Sequence, residues 1–117
     1  MAAVLTNSTF NIMARLVDHD GEPVTVADVS SISWTAFPEA GGESIASGTL
    51  TPSNVIYDEL QTPAIWTKDR TGYNFRHIVG SSVLTDPGGW RFEYVITLTN
   101  GYVIRDKQVV QTQESYT

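Results

Sequence analysis

His19 and His77 are the two imidazoles of this 117-residue chain, which has no cysteine. Thiolate metal sites, cysteine nucleophiles and disulfide scaffolds are thereby excluded. A metal centre would have to be built mostly from carboxylates, and no His-Glu-x-x-His spacing occurs. Asp18, Asp20 and Glu22 share one short segment and offer hard oxygen ligands of the kind calcium takes, but the segment is far shorter than an EF-hand loop. Asp in such a turn more commonly caps its own backbone. Ser81 and Ser82 follow His77 closely, yet no Gly-x-Ser-x-Gly elbow is present to activate either of them. Asp58 and Glu59 are adjacent, so on a strand they point to opposite faces and cannot act as one acid/base pair. No glycine-rich loop precedes a helix to cradle phosphate. The residues therefore predict no catalytic, cofactor-binding or metal-binding set and a protein that is not an enzyme.

Composition narrows the remaining classes. The formal net charge is −6, with 7 Lys and Arg against 13 Asp and Glu. Neutralising nucleic-acid phosphates takes clustered cations, so a nucleic-acid partner is not expected. The apolar start, Met1 to Ala14, is broken by Thr6, Asn7, Ser8, Thr9 and Asn11, unlike a signal peptide, and no run is long enough to span a membrane as a helix. A chain of this length is expected to form one domain with its own core. Charge is uneven: residues 1–67 hold one cation (Arg15) and eight carboxylates, 1 − 8 = −7, and residues 68–117 hold six and five, 6 − 5 = +1. Such asymmetry fits either ordered packing against neighbours of unlike charge or two unrelated solvated faces.

The elements that must carry any function are strands. Thr, Val and Ile make up 34 residues, and these β-branched types suit a pleated surface better than a helix. Apolar residues alternate at Phe10, Ile12, Ala14 and Leu16, at Ile32, Trp34 and Ala36, at Tyr73, Phe75, His77 and Val79, and at Trp90, Phe92, Tyr94, Ile96 and Leu98. Asn11 and Arg15 fall between the residues of the first run, and Asn74, Arg76 and Ile78 alternate with those of the third. Ile45 to Thr51 and Val55 to Leu60 read as shorter strands, and Val26 as an isolated core plug. Tyr102 to Thr112 reads as the last strand. Asp18-His-Asp-Gly-Glu-Pro23, Gly41-Gly42 and Asp86-Pro-Gly-Gly89 are turn signals, and Asn100-Gly101 predicts a two-residue type I′ hairpin. Strand spacings of 8–12 residues without an amphipathic helix predict an all-β sandwich of six to eight strands, with a small closed barrel as the alternative. Its expected core includes Phe10, Ile12, Leu16, Ile32, Trp34, Phe75, Phe92, Tyr94 and Ile96.

Two segments stand apart. Residues 1–8 precede the first strand, carry no charged side chain and contain Val4 and Leu5, which predicts an N-terminal arm ahead of a sandwich over 9–117. Gln61 to Arg70 contains Pro63, Ile65 and Trp66 without a clean period, so it reads as a loop with a helical turn. Trp66 is either a plug closing one end of the sandwich or an exposed anchor for a partner. Val4, Leu5 and Trp66 as apolar anchors, with Lys68 and Arg70 as cations facing an acidic partner or a second copy, form the expected contact set.

The run Phe10-Asn-Ile-Met-Ala-Arg-Leu-Val-Asp, then Asp20-Gly-Glu-Pro-Val, then Asp28-Val-Ser-Ser-Ile-Ser-Trp resembles the immunoglobulin-like modules of tailed-phage virions. Thr71-Gly-Tyr-Asn-Phe-Arg-His, the Asp86-Pro-Gly-Gly turn, Trp90-Arg-Phe-Glu-Tyr and the closing hairpin resemble the tail half of the N-terminal module of siphophage upper baseplate proteins. The resemblance implies an immunoglobulin-like antiparallel sandwich without catalytic residues. It further implies a structural role in the virion, assembled in the host cytoplasm. The chain lacks the coiled region and receptor-binding domain of a baseplate adaptor, which favours a capsid decoration (cement) protein whose partners are the major capsid protein, other virion proteins or copies of itself. A tail, connector or baseplate adaptor is the second expectation. A carbohydrate-binding sandwich is the third, and it would show a row of exposed aromatic rings.

Overall fold

A computed structural model describes residues 4–62 and 72–114. It contains eight strands: β1 (Val4–Leu5), β2 (Phe10–Ala14), β3 (Val29–Pro38), β4 (Ala46–Leu50), β5 (Ile56–Gln61), β6 (Tyr73–Val79), β7 (Gly88–Leu98) and β8 (Val103–Gln113). A 3₁₀ turn at Val26–Asp28 and one helical turn, α1 (Pro52–Val55), are the helical elements among the described residues. The strands form a five-stranded sheet in the order β1-β8-β7-β3-β4 and a three-stranded sheet in the order β2-β6-β5. The fold is an all-β sandwich of two separate sheets, not a closed barrel.

Alternation explains the interior. Phe10 and Ile12 from β2, Phe75 and Val79 from β6, Ile32 and Ala36 from β3, and Phe92, Tyr94 and Ile96 from β7 are buried in one cluster. Phe10 meets Phe92 edge-on at 6.0 Å between ring centroids, and Phe75 meets Tyr94 at 5.0 Å, so rings from the two sheets interlock across the core. Eight of the nine expected core residues are buried. Trp34 is half-buried: it stacks on Phe92 at 5.9 Å, and its indole lies against Gly48 of edge strand β4, where a Cβ would come within 2.9 Å of Nε1.

Other expectations are corrected. The core plug before β3 is Val24, which is fully buried, whereas Val26 packs on the core only partly buried. The Val55 to Leu60 strand begins one residue later, because Pro52 opens a helical turn that ends at Val55. Asn74 does not lie on a solvated face; it is completely buried. Residues 1–8 are not irregular throughout, since Val4 and Leu5 pair in parallel with Thr112 and Gln113 of β8. The Asn100-Gly101 hairpin is not type I′ either. Gly101 has φ +89° while Asn100 does not take positive φ, Gly101 N–H donates to Leu98 O (3.0 Å), and Leu98 N–H donates to Tyr102 O (2.8 Å). This is the three-residue loop in which a type I turn runs into a left-handed residue. Gly101→Ala forces a Cβ into that conformation and is expected to cost about 1 kcal/mol, read as a lower urea midpoint at unchanged m-value.

Candidate interaction surface

The residue types that could carry chemistry are occupied structurally. His77 on β6 is buried, and its Nδ1 lies 2.8 Å from the Tyr94 hydroxyl on β7, across the interface between the sheets. Burial lowers the His77 pKa from 6.5 to about 4 and pushes Tyr94 up, helped by the nearby charge of Asp106. Both groups are therefore neutral at pH 7 and share one hydrogen bond. His77 is thus a core hydrogen-bonding group. His19 is exposed, stacked edge-on against Tyr102 at 4.7 Å, which ties the Asp18–Glu22 turn to the β7–β8 hairpin.

Oxygen and nitrogen ligand atoms of Asp18, His19 and Asp20 lie within 4.8 Å of one another. Asp18 Oδ1, however, accepts the backbone N–H groups of Asp20 (2.9 Å) and Glu22 (3.0 Å), which is the turn-capping role expected of Asp here. Asp58 Oδ1 likewise accepts Val26 N–H at 2.8 Å, tying β5 to the 3₁₀ turn. An open depression of about 220 Å³ lies over β7 and β8, lined by Glu93, Tyr94, Val95, Arg105, Asp106 and Lys107. It is smaller and more open than clefts that enclose a small ligand.

The surface that stands out is the β8 edge of the five-stranded sheet. On its outer side β8 pairs with β1 at Thr112 and Gln113 alone, so Val103 to Gln111 has no strand beside it among the described residues. Val103 (50% exposed), Val109 (38%) and Leu5 (44%) lie along this edge, and Tyr102 (53%) enters it. Together they are four of the seven exposed large hydrophobic residues among those described. Arg105 and Lys107, between the two valines on the same face, form no ion pair with a described residue. Arg91 on neighbouring β7 adds a third cation, bonded to Glu93 and stacked 4.8 Å over the Phe37 ring. On a chain of net charge −6 this is a local basic strip with apolar ends.

Of the expected contact set, Leu5 belongs to this edge. Val4, one residue before it, faces Thr112 and packs on the core. Trp66, Lys68 and Arg70 lie outside the described residues. The strip on β8 was missed in the sequence because Val103, Arg105, Lys107 and Val109 show ordinary strand alternation. Only the strand order reveals that no described strand pairs beside them. No family model matches the chain, and no curated protein or solved structure matches it significantly.

Proposed function

We propose that the chain is a non-enzymatic interaction module of immunoglobulin-like topology that serves as a capsid decoration protein of a tailed-phage virion. The observation that carries the interaction role is the β1–β8 edge, where exposed apolar side chains collect with Arg105 and Lys107, which form no ion pair with a described residue. The topology is supported by strand order: lettered along the chain, β1-β8-β7-β3-β4 against β2-β6-β5 corresponds to A′-G-F-C-C′ against B-E-D, with Trp34 on the C strand. The virion assignment draws on the quoted motifs. Two of them fall where such a module needs them: Asp20-Gly-Glu-Pro-Val is a tight turn delivering Val24 to the core, and Asp86 O accepts the Thr112 hydroxyl at 2.8 Å, locking the turn before β7 to the end of β8. Many copies, each burying a modest interface, stabilise a shell by mass action and multivalency. The carbohydrate-binding alternative has less support, because among the described residues Tyr102 is the one strongly exposed aromatic ring of the Tyr, Trp and Phe set.

Antibody raised against the purified domain, applied to gradient-purified phage particles from the producing host, tests the assignment. Regular labelling of heads is the expected result, together with heads that rupture at lower temperature when the protein is deleted. Tail labelling would select the adaptor role, and particles devoid of the protein would refute a virion role altogether.

A further inference from the structure

We propose that the edge of β8 from Val103 to Gln111, which has no strand beside it among the described residues, takes up an extended acidic segment of a partner protein as an added strand; this deepens the interaction role above and rests on it. Edge strands expose a row of unused backbone N–H and C=O groups, and an incoming strand gains main-chain hydrogen bonds while its alternate side chains set specificity. On the outer face of β8 those alternate positions are Val103, Arg105, Lys107 and Val109. The complementary strand carries apolar residues at its two ends and carboxylates at the two middle positions. β1 already occupies this edge at Thr112 and Gln113, which demonstrates that the geometry accepts a strand there. Leu5 extends the apolar end of the strip.

A second copy is the less suited occupant. Two-fold antiparallel pairing of β8 with itself keeps both sandwiches on the same side only when centred on a residue. Centring on Asp106 sets Arg105 opposite Lys107 of the other copy, and centring on Arg105 or Lys107 sets that residue against itself, while centring on Gln108 avoids like charges only by leaving both cations opposite uncharged Val109 and Gln111. Like charges directly opposed destabilise a cross-strand pair, so the same cations that select an acidic strand discourage self-pairing.

The probe is the peptide Val-Thr-Glu-Thr-Glu-Thr-Val, whose pattern fits the edge in either direction, with Val-Thr-Lys-Thr-Lys-Thr-Val as its charge-reversed control. Both are titrated into the ¹⁵N-labelled full chain at low salt. Saturable shifts confined to β8 and the adjoining β1, weaker by roughly tenfold with the lysine peptide, are expected, two exposed pairs of this kind being sufficient for that ratio. Arg105→Glu combined with Lys107→Glu should reverse the preference while leaving the remaining spectrum in place. No saturable shift at millimolar peptide, shifts centred elsewhere, or equal response to both peptides would overturn the proposal. So would a concentration-dependent dimer in sedimentation that the double variant does not weaken. Head or tail labelling of particles is read independently, so strand addition can fail while the virion role stands.

Discussion

Asn74→Ala is expected to destabilise the domain by about 3–5 kcal/mol, the largest effect of any single polar substitution we foresee. Its side chain sits on β6 with no exposure and makes three hydrogen bonds to main chain on the segment that leads from β2 to β3. Asn74 Oδ1 accepts Leu16 N–H at 2.7 Å, and Nδ2 donates to Leu16 O at 2.8 Å and Val24 O at 3.0 Å. Truncation leaves buried backbone groups without water or partner, and each such group costs about 1–3 kcal/mol. Leu16 and Val24, both core residues, also lose their anchor. In thermal unfolding the midpoint should fall by about 10 °C or more. Asn74→Asp keeps the acceptor but faces a carboxylate toward two carbonyl oxygens, so it should be no milder. A loss below about 1 kcal/mol in either variant would mean that the turn holds itself.

Acidification should weaken the fold through His77. In the folded protein burial holds its pKa at about 4, against 6.5 for the free side chain. Between pH 6.5 and 4 the unfolded chain binds a proton that the folded chain excludes, so stability falls as pH falls through this window and levels off below it. The shift corresponds to at most about 3 kcal/mol, with a limiting slope near 1.4 kcal/mol per pH unit. His77→Gln keeps a polar group beside the Tyr94 hydroxyl without titrating. Urea midpoints of the two proteins should converge as pH drops from 7 to 4.5, whatever the carboxylates common to both contribute. Parallel pH curves would show that His77 is protonated in the fold or already solvated.

How far the sequence was legible follows the range of the interactions involved. Period-two alternation in Phe10 to Leu16 and Trp90 to Leu98 is a local consequence of the pleat, and it located the strands and the aromatic core. The same rule put Asn74 on the face of β6 opposite Phe75 and His77 but could not tell that this face is covered there. Its neighbours along β6 alternate correctly, but the chain around Leu16 and Val24 crosses over it, a contact separated by some fifty residues. The Asn100-Gly101 turn failed on a finer point: the dipeptide is compatible with two hairpin loops, and the Asn100 side chain, accepting Tyr102 N–H at 2.9 Å, accompanies the bulged one. For the proposed contact surface, the sequence marked Leu5 as an uncharged apolar residue near the N-terminus, and the structure shows it exposed beside the end of β8. The flank of β8, without a neighbouring strand among the described residues from Val103 to Gln111, was not legible, because exposure of an edge is decided by which strands lie next to each other.

The parallel pairing of β1 with β8 has a mechanical consequence. A pull on the chain ahead of Val4 and another beyond Gln113 act in opposite directions along two strands that run the same way. The load falls on the Val4–Thr112 and Leu5–Gln113 contacts and on the Thr6 N–H to Gln113 O bond (2.8 Å) as a lengthwise slide, with the bonds strained together instead of unzipped one by one. Trp90 Nε1 reinforces the same spot by donating to Thr112 Oγ1 at 2.9 Å. Tension applied between the two ends of the domain would therefore meet a small shear-loaded latch, and its yielding would free Val4 and Leu5 while leaving the interlocked aromatic rings in place.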